Sequence, residues 1–100
     1  MVKGRKVGFP RVLQAVATVT GYSSARLVGP GRQRQPVRAR ALLVYAAREW
    51  SGLSASEVGR RLHRDPSMVS RLYASYAANR NRTWEKQVRT ILNHSINSQA

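Results

Sequence analysis

Cysteine is absent from the 100 residues, and there are only four acids, two histidines and one phenylalanine. Without cysteine there are no disulfides and no thiolate metal sites, which suits a reducing compartment. His63, His94 and four carboxylates leave a metal site short of ligands, and no metal or cofactor is expected. No apolar stretch approaches the roughly 18 residues that a membrane-crossing helix needs. The scarcity of acids removes any carboxylate pair, and no nucleophile–base pair is visible, so an enzyme is not expected. A G-x-x-x-x-G-K-[ST] loop is also missing, so no nucleotide site is read. Residues 1–8, MVKGRKVG, form a basic lead that runs into no apolar signal core, and no secretion signal is read there.

Against the four acids stand eighteen Lys and Arg, for a net charge of +14. Fifteen of the eighteen are arginine, whose planar fork matches phosphate and the guanine edge. Solubility of a small domain asks for a charge of about 2 to 8, so the excess points to a polyanion, most commonly nucleic acid. The hydrophobic fraction of 42% separates the chain from a disordered basic tail. The length fits one domain with a compact, locally connected core.

The expected organisation is a flexible basic lead (1–8), a helical domain (9–93) and a flexible polar tail (94–100). Pro10 suits a first helical turn, and Val12, Leu13, Val16 and Val19 follow at helical spacing until Gly21. One short turn around Ser23–Leu27 precedes the break at Gly29-Pro30-Gly31. A basic loop, Arg32 to Pro36, then leads into a helix ending near Trp50. That helix carries Val37, Ala41, Leu42, Val44, Tyr45, Ala46 and Ala47, and is apolar around most of its circumference, which predicts a central place in the core. After the turn Ser51-Gly52-Leu53, Ser54 and Glu57 form a capping box for a helix from Ala55 to about His63. Asp65 is placed as an N-cap and Pro66 as the first residue of a helix to about Asn79. Thr83 is expected to cap a last helix carrying Trp84, Val88, Ile91 and Leu92. Trp50 and Trp84 are read as core plugs rather than as platforms for bases.

Two of these helices have the spacing of a helix-turn-helix. Gly59 supplies a small residue where backbones approach, His63-Arg64-Asp65 makes the turn, and Val58, Leu62, Val69 and Leu72 lock the pair. The outward face of the second helix then carries Pro66, Ser67, Ser70, Arg71 and Ala74. Small residues admit that helix to the major groove of duplex DNA, Arg71 suits a bidentate contact to guanine, and Asp65 suits cytosine N4. Arg60 and Arg61 flank the turn, as phosphate contacts or equally as a solvated face, and His63 is read as a phosphate neighbour or a bystander.

These motifs resemble the C-terminal DNA-binding domain of the bacterial replication initiator family DnaA. The matching residues are Arg32, Arg34, Arg38 and Arg40 before ALLVYAAREW, then Ser54-Ala55-Ser56-Glu57-Val58-Gly59, then Arg64-Asp65-Pro66-Ser67-Met68-Val69. The resemblance covers about residues 10–92. It implies an all-α, Trp-repressor-like bundle of about five to six helices with an embedded helix-turn-helix. It implies that Arg32 and Arg34, with Arg38 and Arg40, lie at the minor groove or phosphates, and that Arg64, Asp65, Ser67 and Arg71 lie at the major groove. A monomer in the bacterial cytoplasm, associated with the nucleoid, is expected. The signature's histidine is Pro66 here, which offers a base only apolar contact.

The initiator family's ATPase domain is absent, so this chain alone would neither melt an origin nor load a helicase. Similar domains also form tails of IS200-like, repeat-associated transposases, and the basic start together with the missing catalytic partner favours that origin. Covalent linkage to a larger protein is therefore expected. The rival readings are a non-specific nucleic-acid binder, RNA included, and a protein-interaction module on the same scaffold.

Overall fold

The computed structural model describes residues 7–29 and 37–98, with side chains to Asn93. Among them are six helices and no strand: α1 Phe9–Thr20, α2 Ser24–Val28, α3 Val37–Glu49, α4 Ala55–Leu62, α5 Pro66–Ala78 and α6 Arg82–Ser98. The all-α bundle of the sequence reading is present.

α3 is the axle. Every residue from Ala39 to Ala47 is buried, because small alanines alternate with Leu42, Leu43, Val44 and Tyr45 and let neighbours approach from all sides. α1, α2, α4 and α5 all pack on it, and α6 lies on α1. Leu42, Leu43, Leu62 and Val69 are fully buried, each contributing about 1.5–3 kcal/mol of hydrophobic stabilisation. Val37, expected in the core, is 55% exposed instead, while Ala39 and Arg40 of the same turn are buried. Tyr45 joins a ring cluster with Tyr73 and Tyr76, at centroid distances of 5.4 and 5.0 Å. Trp50 and Trp84 pack half-buried against the core.

Local signals set most ends. Gly21 stops α1 with φ 83°, a left-handed conformation that favours glycine. The capping box is complete: the Ser54 hydroxyl accepts from the Glu57 N–H at 3.1 Å, and the Glu57 carboxylate accepts from the Ser54 N–H at 2.8 Å. Three boundaries differ from expectation. The cap of α6 is Asn81, whose side-chain oxygen accepts from the Trp84 N–H at 3.0 Å; the helix thus begins before Thr83. α6 also continues to Ser98, as no glycine or proline follows Asn93 to stop it. At the other end the Val7 N–H donates to the Trp50 carbonyl at 3.0 Å, so the lead is tied to the domain from Val7 onward.

Candidate nucleic-acid interface

The turn between α4 and α5 is shaped by Gly59. A Cβ there would lie 2.5 Å from the Arg64 carbonyl oxygen, a separation no side chain tolerates, so the returning backbone demands glycine. Val58 and Leu62 of α4 and Val69 of α5 are fully buried and hold the second helix to the first. His63 ends α4 in the left-handed region at φ 57°, which histidine enters more readily than most residues. The Gly59 carbonyl accepts from the Arg64 N–H at 2.9 Å and closes the helix end.

With Val69, Leu72 and Tyr76 facing inward, the opposite stripe of α5 is open. Ser67, Ser70, Arg71 and Ala74, at i, i+3, i+4 and i+7, are all exposed. Asp65 and Pro66 at the leading end are exposed as well. Asp65 occupies the N-cap position, yet its carboxylate makes no cap hydrogen bond. The other three acids are engaged: Glu49 accepts from the Tyr73 hydroxyl, Glu57 closes the capping box, and Glu85 binds Arg80 and Tyr76. Asp65 is thus the acid left presented outward, at the electropositive end of a helix.

A shallow groove between α4 and the start of α5 is lined by Ser56, Arg60, Arg64, Asp65, Pro66 and Met68. It gathers four residues predicted as DNA contacts, Arg60, Arg64, Asp65 and Pro66, and adds two that were not predicted as contacts, Ser56 and Met68. Met68 was legible: it falls outside the Val69/Leu72/Tyr76 stripe. His63 also lines this groove and is exposed.

The predicted arginines separate into different roles. Arg60 and Arg71 are exposed. Arg61 is exposed too, but its guanidinium lies 5.1 Å from the centre of the Phe9 ring, turned towards α1. Arg64 is half-buried and donates to the His63 carbonyl at 3.2 Å and the Gly29 carbonyl at 3.3 Å. It straps the turn to the end of α2. Arg38 donates to the Asn79 carbonyl at 2.5 Å and lies 5.2 Å from the centre of the Tyr76 ring, at the far end of α5.

Arg40 corrects the sequence reading. It is only 4% exposed and donates to the Leu27 carbonyl at 2.9 Å and the Arg26 carbonyl at 2.8 Å. Burial, and then the charge of Arg64, holds its pKa below the ordinary arginine value. Arg40 and Arg64 together satisfy carbonyls at the C-terminal end of α2, where a helix lacks internal donors. They fix the point from which the basic loop departs. Arg32 and Arg34 of that loop lie outside the described residues.

No helix among the described residues is long and apolar enough to cross a membrane. Residues 10–75 match the family described as the bacterial dnaA protein helix-turn-helix. Over 51 residues the chain is 49% identical to the chromosomal replication initiator protein DnaA of Thermomicrobium roseum; the match spans 51% of this chain and 11% of that protein. The relative is an initiator, and the expectation of a transposase tail gains no support from it. Gly59, the outward stripe of α5 and the family match agree: the chain belongs to the bacterial DnaA helix-turn-helix family and is a DNA-binding domain.

Proposed function

We propose that the domain binds duplex DNA sequence-specifically, with the leading end of α5 in the major groove. The observation that carries this reading is the outward set Asp65, Pro66, Ser67, Ser70, Arg71 and Ala74, all exposed on one rigid helix and its cap. Small side chains at Ser67, Ser70 and Ala74 let the helix approach base edges, while Arg71 offers a bidentate donor fork for guanine. Asp65 accepts from cytosine N4; an acid facing a polyanion costs affinity, so its return is selectivity. Arg60 contacts phosphate. The loop carrying Arg32 and Arg34 reaches the minor groove or the adjacent phosphates. Arg38, Arg61 and Arg64 support the surface by orienting its neighbours or adding to its field.

The domain acts as a monomer and as the targeting part of a larger replication protein at the nucleoid. It needs no cofactor and carries no catalysis of its own. A helix of this kind enters the wide major groove of B-form DNA and not the deep, narrow one of A-form RNA.

The test is fluorescence anisotropy on a duplex carrying the initiator-family box and on a scrambled duplex, across a salt series. Tighter binding to the box, with the preference relaxed by Arg71→Ala, supports the reading. Equal binding to both duplexes, abolished together by salt, would make the domain an electrostatic clamp. Equal competition by duplex RNA would move it to the RNA-binding class.

A further inference from the structure

A second groove lies along α6, away from the helix-turn-helix. Arg82, Lys86 and Arg89 line it at i, i+4 and i+7, all three exposed on one helical face. The acid beside them is Glu85, which is buried and already bound by Arg80 and Tyr76. The Arg89 guanidinium lies 5.3 Å from the centre of the Trp50 ring, which steadies it at the groove. Arg82 and Lys86 make no hydrogen bond or ion pair among the described residues; Arg82 only adds to the positive field at Glu85. These cations work against the helix that carries them. Like charges at i, i+4 and i, i+3 repel, and Arg82 opens α6 at the end whose dipole favours an acid. A stripe that opposes its own helix and holds nothing together is explained by a ligand.

The surroundings of the stripe select the ligand. A membrane-surface helix pairs its basic face with large apolar side chains, and a protein-docking patch has an apolar centre. No apolar side chain lines this groove; the large exposed apolar residues among those described, Tyr22, Val37 and Met68, lie elsewhere. Positive charge alone, spread over about 10 Å of helix, matches a run of phosphates. Glu85 is tied to Tyr76, which lies about 15 Å of helix beyond Pro66, whereas the major groove is about 8.5 Å deep. An α5 that enters by its leading end therefore leaves the stripe outside that groove. We infer that the α6 stripe is a second DNA-contact surface, which holds the phosphate backbone of a second duplex segment while α5 reads the first. The contact itself is independent of the reading proposed above; its assignment to a separate segment rests on the placement of α5.

The full chain is loaded onto sparse, immobilised duplexes just long enough to carry the initiator-family box. A labelled scrambled duplex is then passed over it across a salt series. Wild type should retain this second duplex, with retention falling steeply as salt rises. Arg82→Gln/Lys86→Gln should load onto the box with unchanged affinity and lose about ten-fold in retention. Its salt slope should be lower by about 1.8 if each cation meets one phosphate. Arg82→Lys/Lys86→Arg should restore retention, since charge is what the stripe supplies. The glutamine variant should melt no lower than wild type, because it removes repulsion and no bond. Equal retention by wild type and the glutamine variant overturns the inference, as does no retention by wild type at low salt. Weaker loading of the glutamine variant onto the box itself would place the stripe on flanking phosphates of the same duplex and overturn the second segment. Retention of anionic phospholipid vesicles, with none of the second duplex, would assign the groove to a membrane surface and overturn it too. Equal loading of boxed and scrambled duplexes removes the sequence-reading proposal, while a second duplex still lost with the glutamine variant keeps this one.

Discussion

The two ends of α5 use similar residue types in opposite ways. At its far end polar groups satisfy one another. Tyr76 is fully buried, and its hydroxyl donates to Glu85 at 2.8 Å. Arg80 holds the same carboxylate through contacts of 3.0 and 2.5 Å, and Arg38 covers the Tyr76 ring and the Asn79 carbonyl at the end of α5. Burial, then the bond to Glu85, pushes the Tyr76 hydroxyl pKa up. At the leading end Asp65, Ser67, Ser70 and Arg71 face outward instead. An acid and arginines close a lock at one end and remain available at the other. The locked end holds the helix to its neighbours, and the open end is the one proposed to read DNA.

The largest effect should come from breaking the lock. Glu85→Gln loses the charge-assisted bonds from Arg80 and is expected to cost about 2 kcal/mol in urea unfolding. The Arg80 bond, with Tyr76 and the nearby charges, holds the Glu85 carboxyl below the usual carboxylate range despite its burial. A depressed native pKa means the stabilisation is present above that range and is lost as pH falls through the native value. Wild-type stability should therefore drop on acidification more steeply than that of Glu85→Gln. Equal slopes would show that the lock contributes little.

Gly59→Ala should come next, at about 1–2 kcal/mol, because its Cβ forces the turn backbone away. Unlike Glu85→Gln, it should also weaken duplex binding under conditions where the variant remains folded, since the displaced segment carries Arg64 and Asp65. Unchanged affinity would mean that the reading end tolerates a shifted turn. Arg40→Met tests the buried arginine. It should cost about 1–2 kcal/mol through the lost bonds to the α2 carbonyls and leave the salt dependence of binding unchanged. Arg60→Ala should do the reverse, lowering the salt slope by about 0.9 if it contacts one phosphate. A matching loss of slope for Arg40→Met would return Arg40 to the DNA-facing set.

The smallest stability change belongs to Asp65. With no cap bond to lose, Asp65→Asn should stay within about 0.5 kcal/mol of wild type. Its effect should appear instead as altered base preference in duplex selection. A stability loss near 1 kcal/mol would mean that the carboxylate does cap α5 in solution.

Much of this was legible from spacing and chemistry. Helical periodicity placed Val58, Leu62, Val69 and Tyr76 inside and left Ser67, Ser70, Arg71 and Ala74 outside. Glycine at 59 announced a close approach, and Ser54 with Glu57 announced a helix start. These are local signals: they depend on residues within a turn or two, whose mutual geometry the helix itself dictates.

The arginines were legible as a total and not as individuals. The chain's charge determined that it meets a polyanion, but a guanidinium on a long stem has several destinations within reach. Arg40 was expected beside DNA and is buried under α2, where the fold brings the Leu27 carbonyl to it from 13 positions earlier in the chain. Arg64 found Gly29 across 35 positions, and Arg38 found Asn79 across 41. The sequence by itself determined the helices, the inward stripe and the basic character, because these follow from periodicity and composition. Only the tertiary structure decided which cations hold the scaffold and which stay free for a ligand, because that depends on which carbonyls and rings the packed helices bring within hydrogen-bonding or stacking distance.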